Sequence, residues 1–126
     1  MISVVIPCLN ESAFIDATLL SLRRQVGLTE PYEVIVVDGG SRDGTRETLD
    51  RWSREDVRFR WIENPKKTTP VAMNLGIAEA RGETIIILGA HSEVSEDWIK
   101  RNAEVLKSHP ESGCVGGVVQ QVHGSE

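Results

Sequence analysis

Residues 32–44 read YEVIVVDGGSRDG, an apolar, β-branched run that breaks at Asp38 into glycine, serine and carboxylate. With Val34 to Val37 uninterrupted by polar residues, the run reads as a strand buried on both faces, as in parallel sheets. The loop behind it reaches Asp43, which can cap a helix carrying Thr45, Leu49 and Trp52 on one face. Strand, polar exit and helix in that order form the opening of a βαβ unit. The same grammar recurs on either side.

Upstream, residues 2–6 (ISVVI) form a strand closed by Pro7. Asn10 or Ser12 can cap the following helix, whose stripe is Ile15, Leu19, Leu22 and Val26, ending near Gly27. Downstream, residues 57–62 (VRFRWI) alternate, with Val57, Phe59 and Trp61 on one side, which predicts a strand nearer an edge. Thr69 and Pro70 mark a helix start, Val71, Leu75 and Ala78 its inward face, and Gly82 its stop. Residues 83–88 (ETIIIL) form the fourth strand. Ser95 caps another helix, with Glu96 and Asp97 in its first turn, Ile99, Ala103 and Leu106 inward, and Pro110 as its end. Residues 114–122 (CVGGVVQQV) give a fifth strand. Four strand–helix alternations before a last strand predict an α/β fold with a Rossmann-like, doubly wound, mostly parallel sheet.

Composition sets the outer limits. At 126 residues, 40% hydrophobic and 26% charged, the chain fits one domain, residues 1–126, with an ordinary core. Lys and Arg number 14 against 19 Asp and Glu, a net charge of −5, which gives no electrostatic case for nucleic acid. Cys8 and Cys114 lie in apolar segments without metal-type spacing, as free thiols of a reducing compartment do. No apolar run is long enough to span a bilayer, and Met1 leads straight into a strand, so a cytoplasmic setting is expected, at the inner face of the membrane in a full-length protein.

Ligands of open parallel sheets bind beyond the carboxyl ends of the strands. Here those ends read PCLNES, DGGSRDG, ENPKKTTP and GAHSEVSED, polar and rich in carboxylates. The first turn has no G-x-G-x-x-G, which argues against a nicotinamide dehydrogenase. Asp38 either reads a nucleoside or caps its own DGGS turn.

SVVIPCLNE (3–11), VIVVDGGSRDGT (34–45), NPKKTTPVAMNLGIAEARGE (64–83) and IIIL (85–88) with its polar exit resemble, in order and spacing, the nucleotide-binding half of family 2 glycosyltransferases with the GT-A fold. ENPKKTTP and the exit histidine are most similar to bacterial exopolysaccharide transferases of the succinoglycan type. The resemblance implies an enzyme that transfers sugar with inversion from a nucleoside diphosphate, UDP or GDP, to a polysaccharide or lipid-linked acceptor. It implies Pro7, Asn10 and Glu11 as the first wall of the nucleotide pocket, Asp38 as acceptor for the imide N–H of the base, and Gly89 and Ala90 at the strand exit. An ionised carboxylate only accepts, so it suits a uracil or guanine edge better than adenine. Ser41 and Asp43 either contact ligand or cap the helix. Asn74 matches the asparagine of the third block, or bonds a nearby loop. Lys66 and Lys67 meet phosphate or are solvated.

The family's D-x-D, which holds a divalent cation (Mn²⁺ or Mg²⁺) on the diphosphate, is replaced by Gly89-Ala90-His91. Imidazole suits Mn²⁺ better than Mg²⁺. His91 is then a ligand for an ion held mainly by diphosphate and supported by Glu93, or an imidazolium on phosphate, or the remnant of a lost site. The resemblance also implies a second half with the acceptor site and catalytic base. No carboxylate here matches that base, so the chain reads as a donor half, inactive alone, with an edge near 115–122 open to self-association. The competing readings are a non-catalytic sugar-nucleotide module and a flavodoxin-like interaction domain.

Overall fold

The computed structural model describes residues 1–66 and 68–108. Within them four strands alternate with four helices. They are β1 (Ile2–Cys8), α1 (Ile15–Arg23), β2 (Tyr32–Asp38), α2 (Thr45–Glu55), β3 (Phe59–Glu63), α3 (Thr69–Glu79), β4 (Thr84–Ile87) and α4 (Trp98–Ser108). The fifth strand, Cys114, Lys67, the edge at 115–122 and the Pro110 stop lie outside the described residues.

The sheet order is β3-β2-β1-β4, every pair parallel. Chain direction reverses across the sheet between β3 and β4, and the helices divide accordingly. Ile15, Leu19 and Leu22 of α1, Leu49 and Trp52 of α2, and Trp98 and Ile99 of α4 pack with Val4, Ile6, Val34, Val36 and Ile86. Ala72 of α3 packs on the other face with Val5, Ile35, Val37 and Ile87. Right-handed crossovers require this: β1 to β3 step one way with their helices on one face, and the return to β4 puts α3 on the opposite one. The doubly wound α/β fold expected from the alternation is the fold observed.

Several local readings are corrected. β1 does not stop at Pro7 but runs through it to Cys8, with Pro7 opposite Val37. Val5 accepts from the Leu88 N–H on the β4 side, so Pro7, two residues on, turns its nitrogen to that same side. There β4 has already ended, and no donor is required. Neither Asn10 nor Ser12 caps α1, which starts at Ile15 after Phe14 without a side-chain cap bond. Their bonding capacity goes instead to the β2–α2 loop: Arg42 N–H donates to Asn10 Oδ1 (2.8 Å), and Ser12 N–H to Asp43 Oδ2 (3.1 Å). α1 ends at Arg23, so Val26 leaves the stripe and is 50% exposed. The N-cap of α2 is Gly44, in the left-handed region at φ 100°, rather than the expected Asp43, which accepts from Thr45 N–H from one residue further back.

β3 begins at Phe59 rather than Val57, which is exposed, and it lies at the sheet edge as expected. α3 meets the sheet through buried Ala72 and Gly76; Leu75 packs against that core as expected, while Val71 is half-buried and Ala78 is exposed. Only small residues let α3 sit this close to the sheet, because a Cβ on Gly76 would overlap Val5 Cγ1. The helix stops at Glu79. Gly82 serves the next step, since a Cβ there would come 2.6 Å from the Met1 carbonyl and 2.7 Å from Ser3 Oγ. α4 starts at Trp98, with the Ser95 carbonyl accepting from its N–H. Ile99 faces the core, and Ala103 and Leu106 pack against it as predicted.

The amino ends of the strands hold a buried ionic group that the strand pattern did not announce. Ser3 donates to Glu33 Oε2 (2.7 Å), the Arg81 N–H donates to the same oxygen (2.7 Å), and Arg60 approaches Oε1 at 3.4 Å. Burial pushes the Glu33 carboxyl up, but the Arg81 and Ser3 hydrogen bonds and the Arg60 charge outweigh it and hold the group below its ordinary value. This bonding fixes the α3–β4 turn against β1 and β2 and leaves the opposite end of the sheet to ligands.

Candidate functional site

At the carboxyl ends of the strands the four exit loops surround a cleft of about 500 Å³. Pro7, Cys8, Leu9 and Glu11 come from β1, Gly39 from β2, Asn64 from β3, and Gly89, Ala90 and His91 from β4. The first turn of α3 closes the other side with Thr68, Thr69, Ala72 and Met73. That turn brings the positive end of the helix dipole to the cleft.

Of the residues singled out in the sequence, Pro7, Glu11, Gly89, Ala90 and His91 meet on the cleft wall. Asp38, Ser41 and Asn10 stand behind it as a bonded bracket. Asp38 Oδ2 accepts from Gly40 N–H (3.0 Å), Ser41 N–H (2.9 Å) and Arg46 Nε (3.0 Å), and Oδ1 accepts from the Ser41 hydroxyl. Ser41 Oγ in turn accepts from Asn10 N–H at 2.7 Å, and Asn10 takes a left-handed φ of 52° to reach it. Asp38 has no exposed side-chain surface. Burial pushes its carboxyl up, but the Ser41, Arg46 and Gly40 hydrogen bonds win and keep it below the ordinary carboxylate range. Arg46 also reaches Glu63 at 3.0 Å, joining the exits of β2 and β3. Asn74 is exposed on α3 and stays off the cleft wall. Lys66 is exposed, its N–H donating to Asn64 Oδ1.

His91 is the most exposed of the wall residues whose chemistry stands out, at 60% of its side chain, and its Nδ1 lies 3.2 Å from Glu11 Oε2. Phe14 stands edge-on to the imidazole at 6.2 Å between ring centres. Among the described residues no three His, Cys, Asp or Glu side chains gather as a metal cage. Glu11 and His91 supply two donors of the kinds Mn²⁺ accepts, which fits an ion shared with a ligand's oxygens rather than one held by protein alone.

Sequence reasoning passed over Cys8, Asn64, Thr68 and Met73. Cys8 is 6% exposed, and burial with the nearby Asp38 charge pushes its thiol up to about 12. Asn64 is a buried hinge: its N–H donates to the Asp38 carbonyl (2.7 Å) and its side-chain amide to the Thr68 carbonyl (2.8 Å). The Asn64-Pro65 pair after a strand was the available signal, since that dipeptide marks a turn.

Residues 3–125 match the sequence profile of glycosyl transferase family 2. The chain belongs to that family. This family 2 domain is 38% identical over 103 residues to the succinoglycan biosynthesis protein ExoA of Rhizobium meliloti (strain 1021), covering 80% of the chain and 31% of the relative. It is 31% identical over 129 residues to a dolichyl N-acetyl-α-D-glucosaminyl phosphate 3-β-D-2,3-diacetamido-2,3-dideoxy-β-D-glucuronosyltransferase of Methanococcus voltae, covering 96% of the chain and 40% of the relative. The chain thus spans between 31% and 40% of the length of these two relatives. Among solved structures it superposes on mannosyltransferase PcManGT from Pyrobaculum calidifontis in complex with GDP-Man and Mn²⁺ (TM-score 0.75, 26% identity, 83% of this chain and 32% of that one). It also matches S. aureus TarS 1-349 in complex with UDP-GlcNAc (TM-score 0.72, 23% identity, 86% of this chain and 31% of that one), a likeness of fold. No helix among the described residues is long and apolar enough to cross a membrane.

Proposed function

We propose that residues 1–126 are the donor domain of a glycosyltransferase that takes a nucleoside diphosphate sugar, of UDP or GDP type, and passes the sugar with inversion to a polysaccharide or lipid-linked acceptor. The observation that carries this reading is the cleft at the carboxyl ends of the strands, lined on one side by Glu11 and His91 and on the other by the first turn of α3. Family membership supports it, as does the likeness to a mannosyltransferase whose structure contains GDP-Man and Mn²⁺.

In this reading the base lies toward Asp38 and the diphosphate toward Gly89, Ala90 and His91. Asp38 Oδ1 holds one donor, the Ser41 hydroxyl, and an ionised carboxylate oxygen accepts two, so an imide N–H is matched there once the Gly39–Gly40 turn yields. Glu11 and His91 would be the protein groups that hold a divalent cation, Mn²⁺ in preference to Mg²⁺, beside the diphosphate. When bound, the ion offsets the charge that builds on the departing diphosphate. Pro7 and Ala90 exclude water from the walls, and Glu11 orients the imidazole. The acceptor, and the base that activates it, are not assigned to this cleft.

Calorimetric titration with UDP, GDP and ADP in the presence of Mn²⁺ tests the reading. A charge-assisted hydrogen bond to the base is worth about 1.5 to 3 kcal/mol, so UDP or GDP should bind at least about tenfold tighter than ADP. Equal affinities, or no binding of any of the three, would contradict it.

A further inference from the structure

The segment that carries His91 does not hang freely from β4. It is bonded rung by rung to α1. The Thr18 hydroxyl donates to the Ala90 carbonyl at 2.9 Å, Val94 N–H donates to Ser21 Oγ at 3.2 Å, and Gln25 takes Ile99 N–H at 2.8 Å while donating to the Ser95 carbonyl at 2.7 Å. The Val26 N–H closes the ladder on the Glu96 carbonyl at 2.8 Å. Thr18 and Ser21, three apart, share one face of α1, and Gln25 continues the line just past the helix end.

Thr18 is the rung nearest the cleft, and it is an odd choice for its surroundings. It is fully buried beside Ile15, Leu19 and Leu22, where valine would fill the same shape without a polar atom. Its hydroxyl has a second, longer approach to the Phe14 carbonyl at 3.2 Å, a bond helices do not require. The shorter one ends on Ala90, itself 3% exposed, whose carbonyl stands in the residue next to His91.

We propose that Thr18 is a positioning residue for the donor site: by holding the Ala90 carbonyl to α1 it fixes the 89–92 turn and so sets the His91 imidazole against Glu11 at the cleft. Ser21 and Gln25 carry the same restraint further along the segment. The inference rests on the donor-site reading above for its effect on binding, and on geometry alone for its effect on His91.

The test compares Thr18→Val, which keeps the shape and removes the hydroxyl, with Thr18→Ser, which keeps the hydroxyl. Three readings are taken on the purified protein: affinity for UDP with Mn²⁺, affinity for uridine, and the His91 imidazole signals in a ¹H–¹⁵N spectrum assigned through His91→Gln. Thr18→Val should weaken UDP about 3- to 10-fold, the range for losing one buried neutral hydrogen bond, while uridine affinity stays as in the parent. Its His91 signals should move, and Thr18→Ser should restore both. A structural defect without a positioning role would weaken UDP and uridine together, and that result overturns the proposal. Should Thr18→Val fail to fold, Ser21→Ala removes the next rung, and the same uridine-sparing loss is expected of it. If the parent protein binds neither UDP nor uridine, the donor reading fails and the His91 signals decide the matter for Thr18: unmoved signals in Thr18→Val overturn it, and displaced signals uphold it.

Discussion

Asp38 shapes the β2 exit by accepting from Gly40, Ser41 and Arg46, and under the proposed function the same carboxylate also takes the imide N–H of the base once the Gly39–Gly40 turn yields. Asparagine is nearly the same size but replaces one accepting oxygen with an N–H₂ donor, which cannot receive from these N–H groups. Asp38→Asn should therefore cost about 1 to 3 kcal/mol of stability in a urea titration and remove the preference for UDP over ADP. A variant as stable as the parent would show that the bracket is ornamental. Some of this was legible in the sequence and some was not, for a physical reason. DGGSRDG announced a turn and a carboxylate, and both are there. That Asn10 and Ser12 bond to residues 31 or 32 positions away, rather than capping their own helix, depends on two loops meeting in space. Cys8 and Met73 line the cleft for the same reason: neither carries a local mark of it.

At the scale of elements, strands were read well because β-branched runs such as VIVV and IIIL are buried on both faces and leave little choice of structure. Helix faces were read less well where contact is made by absence. The α3 pattern singled out Val71, Leu75 and Ala78, yet the closest approach to β1 is made through Ala72 and Gly76, and a hydropathy pattern gives glycine no weight. Gly76→Ala should thus destabilise, by about 1 to 3 kcal/mol, although alanine is the better helix former. Thermal denaturation of Gly76→Ala alone and combined with Val5→Ala checks the cause. The second substitution removes the Cγ1 that the new methyl would strike, so the pair should be more stable than the sum of the two single effects. Strict additivity would contradict the packing account.

Over the whole molecule, the two ends of the sheet have opposite characters. The amino end is closed by Ser3, Glu33, Arg60 and Arg81, and the carboxyl end opens into the cleft. Both ends contain a buried carboxylate whose folded pKa lies below its ordinary value, 4.5 for Glu33 and 3.8 for Asp38. Such groups stabilise fully above their unfolded pKa, and that contribution drains away as pH falls through the lower, folded one. Stability should therefore be steady from neutral pH down to about 5 and fall below about 4.5. Glu33→Gln should be less stable than the parent at pH 7 and show a shallower fall in acid. Urea midpoints measured from pH 7 to pH 3 would record both, and parallel curves for parent and variant would rule out Glu33 as a source of the acid sensitivity.

The claim that organises the rest is that a nucleoside diphosphate occupies the carboxyl end of the sheet. Titrating ¹⁵N-labelled protein with UDP in the presence of Mg²⁺, a diamagnetic stand-in that leaves neighbouring signals visible, tests it most directly. The account predicts saturable shifts of the Gly39, Gly89 and His91 amides, with Arg81 and Gly82 at the far end unmoved; shifts centred on Arg81 and Gly82, or none at millimolar UDP, would contradict it.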